Sequence, residues 1–371
     1  MAEPFGFGIE EEYFLVDAET KFVTRDMPEA FLKAAKHALG GSITGEFLQS
    51  QIEVLTAPHR AMADAHAELK GLRHSLASIA AKHGLAILAS GTHPTAFWGR
   101  SRQSEGERYD KVMDDLQMIG RRNMLCGMHV HVELPDPDRR VDVMMRMLPY
   151  LPLFIALSTS SPFWQAQRTG LKGYRLAAYD ELPRTGLPEL LRTQSDFNAY
   201  VAALKRAGII KDPSYIWWAI RPSHNHPTLE LRASDCCTRL SDSIALAALY
   251  RALAHKLFCD RSLNADIDAI ERAIIVENKW RAQRYGIEGT FADGRGGGAI
   301  SVAAMLNHVL ECTAADAEML GCRAEAEQCR DIISRGTSAD DQLAIFAKHE
   351  AEGNDWALRV VTEWIAEETL R

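Results

Sequence analysis

The alternation of apolar and polar positions divides the chain into a first part rich in short strands and a second part that is almost wholly helical. Residues 5–17, Phe-Gly-Phe-Gly-Ile-Glu-Glu-Glu-Tyr-Phe-Leu-Val-Asp, are aromatic and β-branched on both sides of three glutamates and predict a strand. Period two sends Glu10 and Glu12 to one face and Ile9, Glu11 and Tyr13 to the other. Residues 50–58 predict a second strand with Glu53 as its interior carboxylate. Glu46 precedes Glu53 by an odd number of positions, so a bulge or turn around 47–49 is needed before both can face one side. Residues 126–134 alternate strictly, with His129, His131 and Glu133 on one face and Val130, Val132 and Leu134 on the other. Gly127 opens that strand and admits a close approach of backbone or ligand. Further strands are expected over 85–90, 215–219 and 228–232, the last with Glu230 and Arg232 against Leu229 and Leu231.

Helical spacing occupies the intervals. Leu69, Leu72, Leu76 and Ile79 mark a helix over 59–84, and others are expected over 107–118, 142–157 and 195–208. Pro149 and Pro152 interrupt the third of these. Beyond Asp242 the pattern predicts helices over 242–258, 265–285, 299–334 and 339–370. The Gly-rich break at 293–298 reads as a flexible lid. It lacks the Gly-Lys-Ser/Thr ending of a P-loop, and no G-x-G-x-x-G follows a strand.

The polar faces carry the chemistry. Neighbouring carboxylates repel each other unless a cation stands between them, and a divalent ion is the usual answer. An exposed acidic edge is the bland alternative for Glu10 and Glu12, and Ile9, Phe14 and Leu15 place that strand inside the fold instead. The His face is either a His-rich edge or a set of metal-ligand and proton-transfer groups. Glu230 with Arg232 is either a surface pair or a metal ligand beside a phosphate or carboxylate clamp. The loop 161–175, with Arg168 and Arg175, is anion-binding material or a solvated loop.

Composition narrows the class. The 371 residues are 47% hydrophobic and 25% charged, the balance of a globular chain with a real core, and are taken as one domain, β-rich to about residue 240. A net charge of −8 speaks against a nucleic-acid partner. The N-terminus shows no basic segment followed by an apolar run, and the longest apolar stretch, 147–157, is broken by prolines, so neither secretion nor a membrane span is expected. Seven cysteines without a C-x-x-C pair read as reduced thiols of a cytoplasmic protein.

Laid side by side, antiparallel strands would gather Glu10 and Glu12, His129 and His131, and Glu230 with Arg232 into one acidic bowl. Carboxylate oxygens with an imidazole suit Mg²⁺ or Mn²⁺ better than zinc. Gly8-Ile9-Glu10-Glu11-Glu12-Tyr13, Gly127-Met128-His129-Val130-His131 and the block from Ile220-Arg221 to Glu230-Leu231-Arg232 resemble the glutamate–cysteine ligase type 2 family. Within it the chain looks most like the YbdK-type carboxylate–amine ligases. The resemblance continues through Ser161-Pro162-Phe163-Trp164, Thr169-Gly170 to Tyr174-Arg175, and Glu277 to Gly286.

The resemblance implies an α+β fold like that of glutamine synthetase, a curved antiparallel sheet forming a funnel backed by helices, with ATP and metal ions inside. It implies one ion held by Glu10, His129 and Glu230, and another held by Glu12 and Glu53 with Glu46. His131 and Arg221 would lie by the ATP phosphates, and Arg232 by phosphate or substrate carboxylate, which makes Arg221 and Arg232 the catalytic cations. The implied reaction is a weak glutamate–cysteine ligase activity running through an acyl phosphate, with glutamate, ATP and an amine such as cysteine as partners. The resemblance also leaves room for a homodimer. A metal-dependent hydrolase or phosphatase, and a nucleotide-binding protein with a decayed site, are the competing readings.

Overall fold

The computed structural model describes residues 5–293 and 297–371. Seven strands form one antiparallel sheet: β1 (Phe7–Asp17), β2 (Ile43–Gly45), β3 (Gln51–Leu55), β4 (Leu85–Leu88), β5 (Gly127–Glu133), β8 (Ile220–Pro222) and β9 (Thr228–Asp235). Two short hairpins, β6 (Phe163–Trp164) with β7 (Gln167–Arg168), and β10 (Thr290–Asp293) with β11 (Gly298–Ser301), lie outside it. The strand order is β2-β3-β1-β5-β9-β8, with β4 paired to the C-terminal half of β1. The central pair, β1 and β5, are therefore the two strands whose faces carry Glu10, Glu12, His129 and His131.

The back of the sheet is covered by helices. Leu240–Cys259 runs buried along it, and its Tyr250 hydroxyl donates to the Leu229 carbonyl at 3.2 Å. Met62–Lys82 lies beside β4 and sends Arg73 under β1. The same arginine donates to the carbonyl of Thr369 at 3.2 Å, so the last helical turn is tied to the first strand. The helix expected over 142–157 is two helices, Arg140–Met147 and Leu151–Ser158, joined by a 3-10 turn at Leu148–Tyr150, where Pro149 removes a backbone donor. Among the described residues, 137–158 is the one helical stretch long and apolar enough by composition to cross a membrane, and 89% of its apolar window is buried inside the fold.

Three further expectations need adjustment, the first being the helix over 299–334, which is four shorter ones, Val302–Cys312, Ala314–Met319, Arg323–Glu327 and Cys329–Arg335. Residues 215–219 are not a strand: Pro213–Tyr215 is a 3-10 turn and pairing begins only at Ile220. Backbone N–H groups of Trp217 and Ala219 donate instead to the carbonyls of Arg184 and Gly186, and the Ala219 carbonyl accepts from the Arg232 N–H of β9. The lid expected over 293–298 falls partly on residues 294–296, outside the described residues. All seven cysteines are free thiols.

Candidate active site

The front of the sheet is built by register. Glu10 lies directly opposite His129 across β1 and β5, and Glu12 opposite Glu53 across β1 and β3. His131 faces Glu230 across β5 and β9, and Arg221 faces Glu230 across β8 and β9. An extra residue in β9 opposite His129 makes a bulge. Before the bulge Glu230 and Arg232 point to the front, and after it Asp235 comes opposite Gly127. Glu46 sits one residue past the end of β2, where the turn into β3 carries it over the sheet. This is the break in strand parity that its position requires.

Of these side chains, Glu10, Glu12, Glu46, Glu53, His129, Arg221 and Arg232 line a cavity of about 360 Å³ together with Thr44, Arg175, Tyr179, Asn123 and Trp217. Glu10 bridges the two histidines, with Oε2 3.2 Å from Nδ1 of His129 and Oε1 3.3 Å from Nε2 of His131. Nε2 of His129 lies 3.7 Å from Glu12 Oε1, and its Nδ1 lies 4.0 Å from Glu53 Oε1. Glu12 accepts the Gly127 N–H at 2.5 Å, and Nδ1 of His131 lies 2.8 Å from the Thr228 hydroxyl. Ligand atoms of Glu10, Glu53 and His129, and likewise of Glu12, Glu46 and Glu53, lie within 4.8 Å of one another.

The charges divide into two groups. Glu230 is saturated: Arg221 donates to it through Nε at 2.8 Å and Nη2 at 3.3 Å, and Arg232 through Nη1. Burial would raise its carboxyl, but the two guanidinium groups outweigh burial and hold it well below the usual range. Glu10 is lowered in the same way by its histidine hydrogen bonds. Glu53 and Glu46 go the other way. Burial, compounded by the neighbouring carboxylates, pushes Glu53 up strongly and Glu46 up to about 8. Burial also lowers His129, helped by the charge of Arg232, so this imidazole is neutral near pH 7. With Nδ1 directed at Glu10, its buried Nε2 is left without a hydrogen-bond partner. A neutral imidazole with an orphaned nitrogen, among carboxylates too crowded to ionise together, is a donor set that fits a divalent cation.

The model of glutamate–cysteine ligase family 2 matches residues 6–361. The chain belongs to this family. A curated relative from Bradyrhizobium sp. (strain ORS 278), named "Putative glutamate--cysteine ligase 2", is 53% identical over 99% of this chain and 88% of its own. A relative of the same name from Rhodospirillum rubrum is 44% identical over 100% of this chain and 97% of its own. Membership makes the protein an enzyme of the ligase class, one that forms carbon–nitrogen bonds. The fold is shared with more distant ligases. Glutamate–cysteine ligase from Francisella tularensis, solved in complex with AMP, aligns with a TM-score of 0.66 at 14% identity, over 99% of this chain and 89% of that one. A bifunctional glutathione synthetase from Pasteurella multocida aligns with a TM-score of 0.71 at 16% identity, over 99% of this chain and 53% of that one.

The structure brings Glu10, Glu12, Glu46, Glu53, His129, Arg221 and Arg232 to one cavity, with His131 against Glu10 and Glu230 against Arg221; Glu12, Glu46 and Glu53 cluster as implied, and the other set is grouped differently. Glu53 stands with Glu10 and His129, while Glu230 is drawn onto the two arginines. Glu133, which shares the His face, pairs with Arg60 at 3.8 Å and lies outside the cavity. It stands four positions beyond His129, about 13 Å along the strand. Arg175 is the group that strand reasoning missed. Its guanidinium fills the space a side chain at 127 would need, since a Cβ there would lie 2.0 Å from Nη2. Gly127 was the signal, and the approaching group is an arginine in the first turn of the short helix Tyr174–Tyr179.

Proposed function

We propose that the protein is an ATP-dependent carboxylate–amine ligase working as one catalytic domain. It activates the γ-carboxylate of glutamate and joins it to an amine. The observation that carries this reading is the pairing of an over-crowded acidic cluster, Glu10, Glu12, Glu46 and Glu53, with three arginines lining the same cavity. The names of the family and its relatives support glutamate and an amino-acid amine, and the AMP complex of the Francisella enzyme supports a nucleotide co-substrate.

Glu10, Glu53 and His129 would hold one Mg²⁺ or Mn²⁺, and Glu12, Glu46 and Glu53 a second, with Glu230 as the ligand held in reserve by Arg221 and Arg232. Bound there, the ions would neutralise triphosphate charge. The chain's own residues do the rest. Arg221 and Arg232 bring guanidinium groups to the moving phosphoryl group, and His131, held by Thr228, orients the phosphates. A carboxylate is a poor acyl donor because oxide is its leaving group. Phosphorylation by ATP makes an acyl phosphate and ADP. The amine nitrogen then bonds to the acyl carbon, the carbon–oxygen bond to phosphate breaks, and the amine loses a proton.

Adenylation would instead release pyrophosphate. No nucleotide-binding loop of that kind is legible, whereas a triphosphate lying across cations towards arginines suits phosphoryl transfer. Glutamate labelled with heavy oxygen in its γ-carboxylate separates the two routes. One label should pass into inorganic phosphate as ADP accumulates. Label in AMP, or unlabelled phosphate with product formed, would overturn the mechanism.

A further inference from the structure

Two of the three arginines in the cavity meet one tyrosine. Arg175 and Tyr179 stand four positions apart on the short helix Tyr174–Tyr179 and so share its face. The Arg175 guanidinium carbon lies over the Tyr179 ring, 5.6 Å from its centre. The Tyr179 hydroxyl accepts from Nη2 of Arg232 at 3.3 Å, while Nη1 of Arg232 donates to Glu230. With Glu230 alone this guanidinium would pivot about a single hydrogen bond. The tyrosine gives it a second anchor and fixes its plane. The buried Nε of each arginine is left without a partner. Beyond Tyr179 the support continues. Asp180 pairs with the buried Lys279 of the helix Ala269–Tyr285. On the same helix Asn278 exchanges two hydrogen bonds with the backbone of Ala292, at 2.8 and 2.7 Å. Arg281 donates to the carbonyl and hydroxyl of Thr290, at 2.5 and 2.6 Å. The block from Glu277 to Gly286 therefore ties β10 to the end of the helix that carries Arg175, and none of its residues lines the cavity.

We propose that Tyr179 is the positioning residue for Arg232 and Arg175, and that Lys279 acts behind it by pinning Asp180. The kinetic consequence rests on the ligase reading. In that reading Arg232 brings charge to the moving phosphoryl group, and a guanidinium stabilises that charge best when it is already in place as the bond breaks. An arginine side chain has many rotamers. Ordering it during the reaction would draw on the same interactions that lower the barrier, so an arginine held beforehand reacts faster. Lys279 lines no part of the cavity, so its effect on rate passes through Asp180 and Tyr179.

Initial rates of ADP release with glutamate, cysteine, ATP and Mg²⁺ give the kinetic half of the test. Tyr179→Phe keeps the ring and removes the hydroxyl, and kcat should fall about tenfold with the KM for ATP within about twofold. Tyr179→Leu removes the ring as well and should lower kcat by about a hundredfold in all. Lys279→Met should lower kcat about fivefold, and Lys279→Arg should recover most of that loss. Adding Asp180→Asn to Lys279→Met should cost nothing more, since the two act as one pair. A purely structural role for Lys279 would lower the urea midpoint and leave the kcat of the folded enzyme unchanged. The second half does not depend on turnover. In NMR spectra of protein whose arginines carry heavy nitrogen, the Nε–H signal of Arg232 is assigned by its loss in Arg232→Lys. That signal should move in Tyr179→Phe and in Lys279→Met. An unmoved signal or a wild-type kcat in Tyr179→Phe overturns the role of Tyr179, and either result in Lys279→Met overturns that of Lys279. ADP release that needs no amine removes the ligase reading, and the Arg232 signal then decides the positioning roles by itself.

Discussion

Glu11 and its neighbours Glu10 and Glu12 are one residue apart in sequence and in opposite electrostatic worlds. On the back of the sheet Glu11 is wholly buried, and every oxygen is engaged. Arg73 meets it with Nε at 2.8 Å and Nη2 at 2.7 Å, and the hydroxyls of Tyr13 and Ser243 donate at 2.5 Å each. On the front, four carboxylates share a cavity with a neutral His129, and Glu46 and Glu53 are pushed towards protonation. The back pair completes its own charge balance and serves the fold. The front cluster does not, and the missing positive charge is what a ligand must bring. A buried carboxylate is therefore structural or functional according to whether the chain supplies its counter-ion.

Removing that counter-ion should give the largest effect. Arg73→Leu leaves Glu11 charged and unpaired in the core and should cost about 3–5 kcal/mol of unfolding free energy in urea melts. Combining it with Glu11→Gln should recover a large part of that loss. A single-variant cost below 1 kcal/mol would place Arg73 outside the core balance. Tyr13→Phe removes one donor to the same carboxylate and should cost about 2 kcal/mol by the same melts.

On the front, Glu10→Gln should abolish turnover while leaving the urea midpoint close to that of the wild type, since it removes a ligand and not packing. His129→Ala should chiefly raise the Mg²⁺ concentration needed for activity, and His131→Ala the KM for ATP. Equal shifts of both parameters in both variants would merge the two roles.

The smallest effect is a pH slope. Glu46 and Glu53 have folded values above the ordinary 4.5, so their contribution to stability is full below that value and is lost as pH rises through the raised ones. With cations chelated, stability should fall from this source as pH rises from 5 to 8. Glu46→Gln, which stays neutral, should flatten the curve. Neutral His129 acts in the opposite sense below pH 6.5 but is common to both proteins, so the difference between them isolates Glu46.

Period-two reading was enough to separate Glu11 from Glu10 and Glu12 and to put His129 and His131 on one face, because side-chain direction in a strand is a local property of the backbone. It also required the break that brings Glu46 over β3. Which residues meet across strands is not local. Register, set by the turns and by the β9 bulge, placed Glu53 with Glu10 and His129 and gave Glu230 to the arginines. It also left Glu133 at the far end of its strand, although that residue shares the His face. Arg73 and Arg175 come from helices that lie apart from the strands they meet in sequence, and no spacing rule connects them to the sheet. The sequence by itself determined the kinds of groups on the two faces. Only the tertiary structure decided which carboxylates receive a counter-ion from the chain, because that depends on distances between segments that the covalent backbone leaves free.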